Sequence, residues 1–182
     1  MPRRSARRLR IEALRVRESC EARGWSAEDL SHGAWISPDT ARNLFNGRSV
    51  DPTISNAIPV ARALGTYIED LAVLAPDATL PGTDVPRSPR SPQLQNGAFK
   101  IKRLLIRERC EELGWSLDDL SRTSGVNFHT LRGLFYGFYT DATVSTMLPI
   151  ARAMGNHIEE LVEVEETDAV KLSPPGSELI TA

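Results

Sequence analysis

The sequence predicts an all-α protein made of two tandem five-helix units joined by a Pro-rich linker. Three observations predict it. Residues 11–71 of the 182-residue chain align without a gap with residues 101–161, and nearly half of the paired residues are identical. Within each copy the apolar residues recur at helical spacing, with no alternating strand-like run. Between the copies, LAPDATLPGTDVPRSPRSPQLQNGA carries Pro, Gly and Ser without periodicity and reads as a linker. Two copies are too few for a solenoid, so each must bury its own core or pack on the other. The expected divisions are a basic arm (1–8), a first domain (9–74), the linker (75–98), a second domain (99–164) and a mobile acidic tail (165–182).

The first helix is expected over 9–23, with Ile11, Ala13, Leu14, Val16, Arg17 and Cys20 on a helical pattern and Gly24 as its left-handed stop. Ser26 caps the second helix. Asp29 completes a short capping box, and Trp25 and Leu30 form a hydrophobic staple; Ser116, Asp119, Trp115 and Leu120 repeat the set. That helix ends near Gly33–Ala34. Ser37 caps the third, with Pro38 at its first position, where a missing N–H costs nothing. Asn127 is the matching cap, and this helix runs to about Phe45 and breaks at Gly47. A fourth helix spans about 53–64. Pro59, like Pro149 in the second copy, falls inside it, which predicts either a kink or a later start. The last helix opens with Thr66 as cap and Glu69 as its partner, matched by Asn156 and Glu159.

The third helix separates two classes of position. SPDTARNLFNG (37–47) faces NFHTLRGLFYG (127–137) in the alignment. Ala41, Leu44 and Phe45, and their counterparts Leu131, Leu134 and Phe135, share one side and stay apolar. Pro38, Asp39, Arg42, Asn43 and Asn46 share the opposite side. There Pro38, Asp39, Asn43 and Asn46 change to Phe128, His129, Gly133 and Tyr136, while Arg42 is kept as Arg132. A face that varies over a fixed scaffold suits a reading surface. The short preceding helix and the tight turn Ala34–Trp35–Ile36, or Ser124–Gly125–Val126, give helix-turn-helix geometry, whose second helix enters a DNA major groove.

At these residues the chain resembles the Cro/phage-repressor (XRE) type of helix-turn-helix domain, twice over. The stretches that carry the likeness are GWSAEDLSHGAWISPDTARNLFNGRSVDPT with VARALGTYIEDL, and GWSLDDLSRTSGVNFHTLRGLFYGFYTDAT with IARAMGNHIEEL. The resemblance implies lambda-repressor-like five-helix domains whose third helix reads bases. It points to Ser37, Pro38, Asp39, Arg42 and Asn43 in the first copy, and to Asn127, Phe128, His129 and Arg132 in the second. The loop after the reading helix would touch phosphate through Asn46, Gly47, Arg48, Tyr136 and Gly137. The second helix would do so at Ser26 and Ser116. Trp35 stands where relatives have a glycine, which predicts a distorted turn in the first copy. The arm residues Arg3, Arg4, Arg7 and Arg8 would wrap a groove or bind phosphate.

The function expected is a sequence-specific transcriptional regulator, a repressor, that reads two half-sites in duplex DNA. The alternative is a protein-docking module built on the same scaffold. A net charge of −2 gives no global attraction to nucleic acid, and the aromatic run FYGFY in the second copy suits a second copy of the chain or a protein partner. No apolar run reaches bilayer length and no apolar segment follows the Arg-rich start, so no membrane contact is expected and the chain is read as cytoplasmic. Cys20 and Cys110 are expected to be small buried hydrophobes. His32, His129 and His157 lack ligand spacing, and no phosphate loop or nucleophile set appears. Hence no metal, cofactor, small-molecule ligand or catalysis is expected.

Overall fold

The computed structural model describes residues 9–76 and 99–166. The arm, the linker after residue 76, and the tail beyond Glu166 lie outside them, including Arg3, Arg4, Arg7 and Arg8. The first unit runs β1 (Ile11–Leu14), α1 (Val16–Glu21), α2 (Ala27–Ala34), α3 (Pro38–Phe45), α4 (Ile54–Ala63), α5 (Ile68–Leu71) and β2 (Ala72–Leu74). The second repeats it as β3 (Phe99–Leu104), α6 (Ile106–Leu113), α7 (Leu117–Ser124), α8 (Phe128–Phe135), α9 (Val144–Met154), a 3₁₀ helix (Ile158–Leu161) and β4 (Val162–Glu166).

The units are helical as expected, but each is closed by a two-stranded antiparallel pair that the helical reading missed. Ile11 lies opposite Leu74 and Leu14 opposite Ala72; in the second unit Ile101 lies opposite Val164 and Leu104 opposite Val162. The helix expected over 9–23 therefore starts only at Val16. The entering and leaving chain of each unit satisfy each other's backbone groups, which a frayed first helix turn would leave to water. Both expected linker and tail boundaries are crossed by these ends: Ala75 N–H donates to Arg10 O at 3.0 Å, and β4 reaches Glu166. Lys100 and Lys102 of β3 pair across the strands with Glu165 and Glu163 at 2.8 and 2.5 Å.

The capping signals act as read. Ser26 Oγ accepts from Asp29 N–H, and Asp29 accepts from Ser26 N–H at 2.8 Å; Ser116 and Asp119 do the same at 3.2 and 3.0 Å. Cys20 and Cys110 are fully buried, and burial pushes both thiols up from their ordinary pKa. Helices α4 and α9 run through Pro59 and Pro149 without starting later or stopping there. The turn between α2 and α3 is not distorted. Trp35 itself takes the left-handed conformation, φ 53° and ψ 40°, that Gly125 takes in the second unit at φ 70°. Ser31 Oγ donates to Ile36 O at 2.8 Å and Ser121 Oγ to Val126 O at 2.9 Å, so both turns are tied alike.

The two units join through reciprocal contacts. Thr53 and Thr143 form an antiparallel bridge; Ile54 N–H donates to Ala142 O at 2.8 Å and Val144 N–H to Pro52 O at 3.0 Å. Neither Thr caps its own helix with its side chain. Instead Asp141 accepts from Ser55 N–H and Oγ, at 3.3 and 2.6 Å, and Asp51 accepts from Ser145 N–H and Oγ, at 2.8 and 2.6 Å. Each carboxylate thus sits at the positive end of the other unit's helix. Glu69 and Glu159, expected as local caps, do the same: Glu159 accepts from Ile68 N–H at 3.0 Å and Glu69 from Ile158 N–H at 2.9 Å. The true N-caps fall one residue later than expected, at Tyr67 and His157, whose rings stack across the junction with centroids 4.1 Å apart.

Candidate nucleic-acid interface

Helix α3 starts where Ser37 Oγ accepts from Thr40 N–H at 3.1 Å, with Pro38 at its first position. Ala41 and Leu44 are buried and Phe45 half-buried, so this stripe anchors the helix on its neighbours. Pro38, Asp39, Arg42, Asn43 and Asn46 are all exposed, as is Arg48 in the following loop. Arg42 pairs with Asp39 at 3.0 Å, both side chains being largely in solvent. An exposed pair of this kind contributes little and yields readily to a phosphate or a base edge.

Arg17, expected on the helical pattern of the first helix, is exposed and braces the end of α3. Its Nε donates to Phe45 O at 3.2 Å, its Nη2 donates to Asn46 Oδ1 at 2.8 Å, and its guanidinium lies 5.2 Å from the Phe45 ring centroid. The Asn46 amide oxygen is therefore engaged from inside the molecule. The one signal was the identity of Arg17 and Arg107 in the repeat, yet Arg107 pairs with Glu111 at 2.9 Å instead.

The second unit presents the same scaffold with different chemistry. Asn127 Oδ1 accepts from His129 N–H at 2.8 Å and starts α8; Leu131 and Leu134 are buried. Phe128, His129, Arg132 and Tyr136 are exposed. Phe138 is 75 % exposed, and Tyr136 and Tyr139 are 57 % exposed, so the aromatic run is not packed against the other unit. Gly137 takes φ 74° and Gly47 φ 68°, left-handed turns that let both loops leave their helices the same way.

Ser26 and Ser116 stand at the starts of α2 and α7, but each already shares its N–H and hydroxyl with a carboxylate, Asp29 or Asp119. The hydrogen bonds from Ser26, backbone first, hold Asp29 below the usual carboxylate range, and the Ser116 hydroxyl does so for Asp119. A phosphate approaching there meets a charge of its own sign. Among the described residues no helix is long and apolar enough to cross a membrane, and no group of His, Cys, Asp and Glu could hold a metal ion.

Comparison with known proteins is consistent with this geometry. A helix-turn-helix family model matches residues 16–71 and again 106–161, each match running from the first helix of a unit through its last. Neither the curated proteins nor the solved structures give a match. With that match repeated over more than half of its length, the chain belongs, in tandem, to the helix-turn-helix family of the Cro/phage-repressor (XRE) type, a family of DNA-binding transcription regulators.

Proposed function

We propose that this chain is a repressor that reads two unlike half-sites in duplex DNA, one with each unit. The observation that carries the reading is the exposure of the whole outer face of α3, Pro38, Asp39, Arg42 and Asn43, over a stripe held rigid by Ala41 and Leu44. The junction supports the second half of the proposal. Its bonds recur with the units exchanged, as in a two-fold dimer, so one chain supplies what two subunits would. Because the outer faces differ, the half-sites differ.

Arg42 and Arg132 are the principal base or phosphate contacts, with Ser37, Asp39 and Asn43, and Asn127, Phe128 and His129, at base edges. Arg48, Asn46 and Tyr136 contact the backbone, as do Arg3, Arg4, Arg7 and Arg8 of the arm. Footprinting is expected to show two protected half-sites about 34–36 Å apart centre to centre. Arg42→Ala and Arg132→Ala each weaken binding by about 1–3 kcal/mol if the arginine reads a guanine, and leave the circular dichroism spectrum unchanged. A contact to phosphate instead lowers the slope of log K against log salt by about 1. A single protected half-site would refute tandem reading.

A second reading, docking of a protein on the second unit, is favoured by the exposed rings of Tyr136, Phe138 and Tyr139. Salt-dependent binding to duplex DNA that both arginine substitutions weaken separates the two.

A further inference from the structure

The outer face of α8 has no side chain where α3 carries the Asn43 amide. Asp39, Asn43 and Asn46 of the first unit are His129, Gly133 and Tyr136 in the second. Gly133 is itself buried, and the Tyr139 ring covers it: a Cβ built on Gly133 would lie 2.2 Å from two atoms of that ring. Tyr139 N–H donates to Gly133 O at 3.1 Å and keeps the loop against the helix. The ring thus occupies the place from which Asn43 projects in the first unit. It stays 57 % exposed, and Phe128, at the first position of α8, is 37 % exposed. From Gly125 to Ala151 the chain has Arg132 as its one Lys or Arg. Among the described residues Arg132 has no ion-pair partner within the protein.

Major-groove base edges carry one apolar group, the thymine 5-methyl. Aromatic rings set against any other edge strip water from donors and acceptors and give no hydrogen bond back, which is costly. We infer that α8 and its following loop read their half-site through thymine methyl groups, with Phe128 and the Tyr139 ring as the contact surface and Arg132 as the polar anchor. This rests on the duplex-reading function proposed above. The surface is committed to DNA because it occupies the same place, on the same scaffold, as the polar outer face of α3.

The test uses the full chain to select duplexes from a random pool, then resynthesises the best with deoxyuridine for thymidine in one half-site at a time. That change removes methyl groups and leaves the protein untouched. The half-site read by α8 is the one whose footprint weakens in Phe128→Ala. There the expected loss is about fourfold in affinity for each contacted methyl removed, the worth of one buried methylene-sized group. Phe128→Leu keeps most of this sensitivity, whereas Phe128→Ala reduces it. Equal affinity for the uracil and thymine forms would overturn the inference while leaving duplex reading intact. So would a selected half-site without thymine. A footprint confined to the first half-site would overturn it as well and assign the aromatic face to a protein partner. Failure to retain any duplex would instead refute the duplex-reading function itself.

Discussion

Trp35 ends α2 in a left-handed conformation that its counterpart Gly125 adopts without a side-chain penalty. A Cβ in that region costs about 1–2 kcal/mol, and Trp35 recovers little by burial because it is 54 % exposed. Trp35→Gly is therefore expected to raise the urea midpoint, corresponding to a gain of about 1 kcal/mol in unfolding free energy after the extra entropy of the unfolded glycine is subtracted. An unchanged or lower midpoint would show that the indole makes up the strain through its neighbours Ser31, Ile36 and Pro38. At this scale the sequence was partly legible. It flagged Trp35 as abnormal for its turn, but whether the turn would deform or the residue would strain depends on the Ser31–Ile36 bond across it. The outward positions Asp39, Arg42 and Asn43 were legible outright, because helical spacing alone separates them from Ala41 and Leu44. Arg17 was not, since its role depends on where the far end of α3 lies.

Helix starts are where local and long-range chemistry part. Ser26 with Asp29 and Ser116 with Asp119 are local boxes, readable from four residues, and their effect on pH follows. Both carboxylates sit below their ordinary pKa, so the stability they contribute is present above that ordinary value and is lost as pH falls through the folded one. Acid titration of Ser26→Ala, followed by circular dichroism, should show a shallower loss on the acid side than the unaltered chain. The caps of α4 and α9 are a different case. Thr53 and Thr143 stand at the N-cap positions without capping through their side chains, and the N–H groups of Ser55 and Ser145 are taken by Asp141 and Asp51 of the opposite unit. Asp51→Ala and Asp141→Ala are each expected to cost about 1–2 kcal/mol in chemical denaturation, at the upper end for a helix cap because the serine hydroxyl loses its partner too. A cost below a few tenths would show the junction to be incidental. The strands were illegible for a related reason: β1 is four residues long, and its partner β2 lies some sixty residues away.

Across the whole molecule, the junction brings two carboxylates of like charge into a buried site. Burial, and next the nearby Glu69, push the Glu159 carboxyl up to about 8, against backbone hydrogen bonds and the positive charge of Arg62. His157 Nδ1 lies 3.7 Å from Glu69, and the Tyr67 ring lies against His157. Because the folded value is raised, Glu159 favours folding fully below its ordinary pKa near 4.5 and loses that contribution as pH rises toward 8. Stability should therefore decline between those values, opposite in sense to the acid-side loss from Asp29 and Asp119. Glu159→Gln, which cannot ionise, is expected to raise the thermal midpoint at pH 8 by a few degrees and to flatten the curve between pH 5 and 8. If the two proteins keep parallel curves through that range, the proton is held elsewhere.

The sequence by itself determined the duplication, the helical scaffold of each unit, the local capping boxes and the division of α3 and α8 into an inner and an outer face. All of these rest on interactions within a few residues or on the repeat itself. Only the tertiary structure decided that Asp51, Asp141, Glu69 and Glu159 serve the opposite unit, that Tyr139 takes the place of an outer side chain at Gly133, and that each unit is closed by strands. Apart from Tyr139, which lies six residues from Gly133 and reaches it only through the course of the loop, the partner is distant along the chain in each case. A carboxylate three residues from a helix start looks the same whether it caps its own helix or another, until the fold brings the other helix closer.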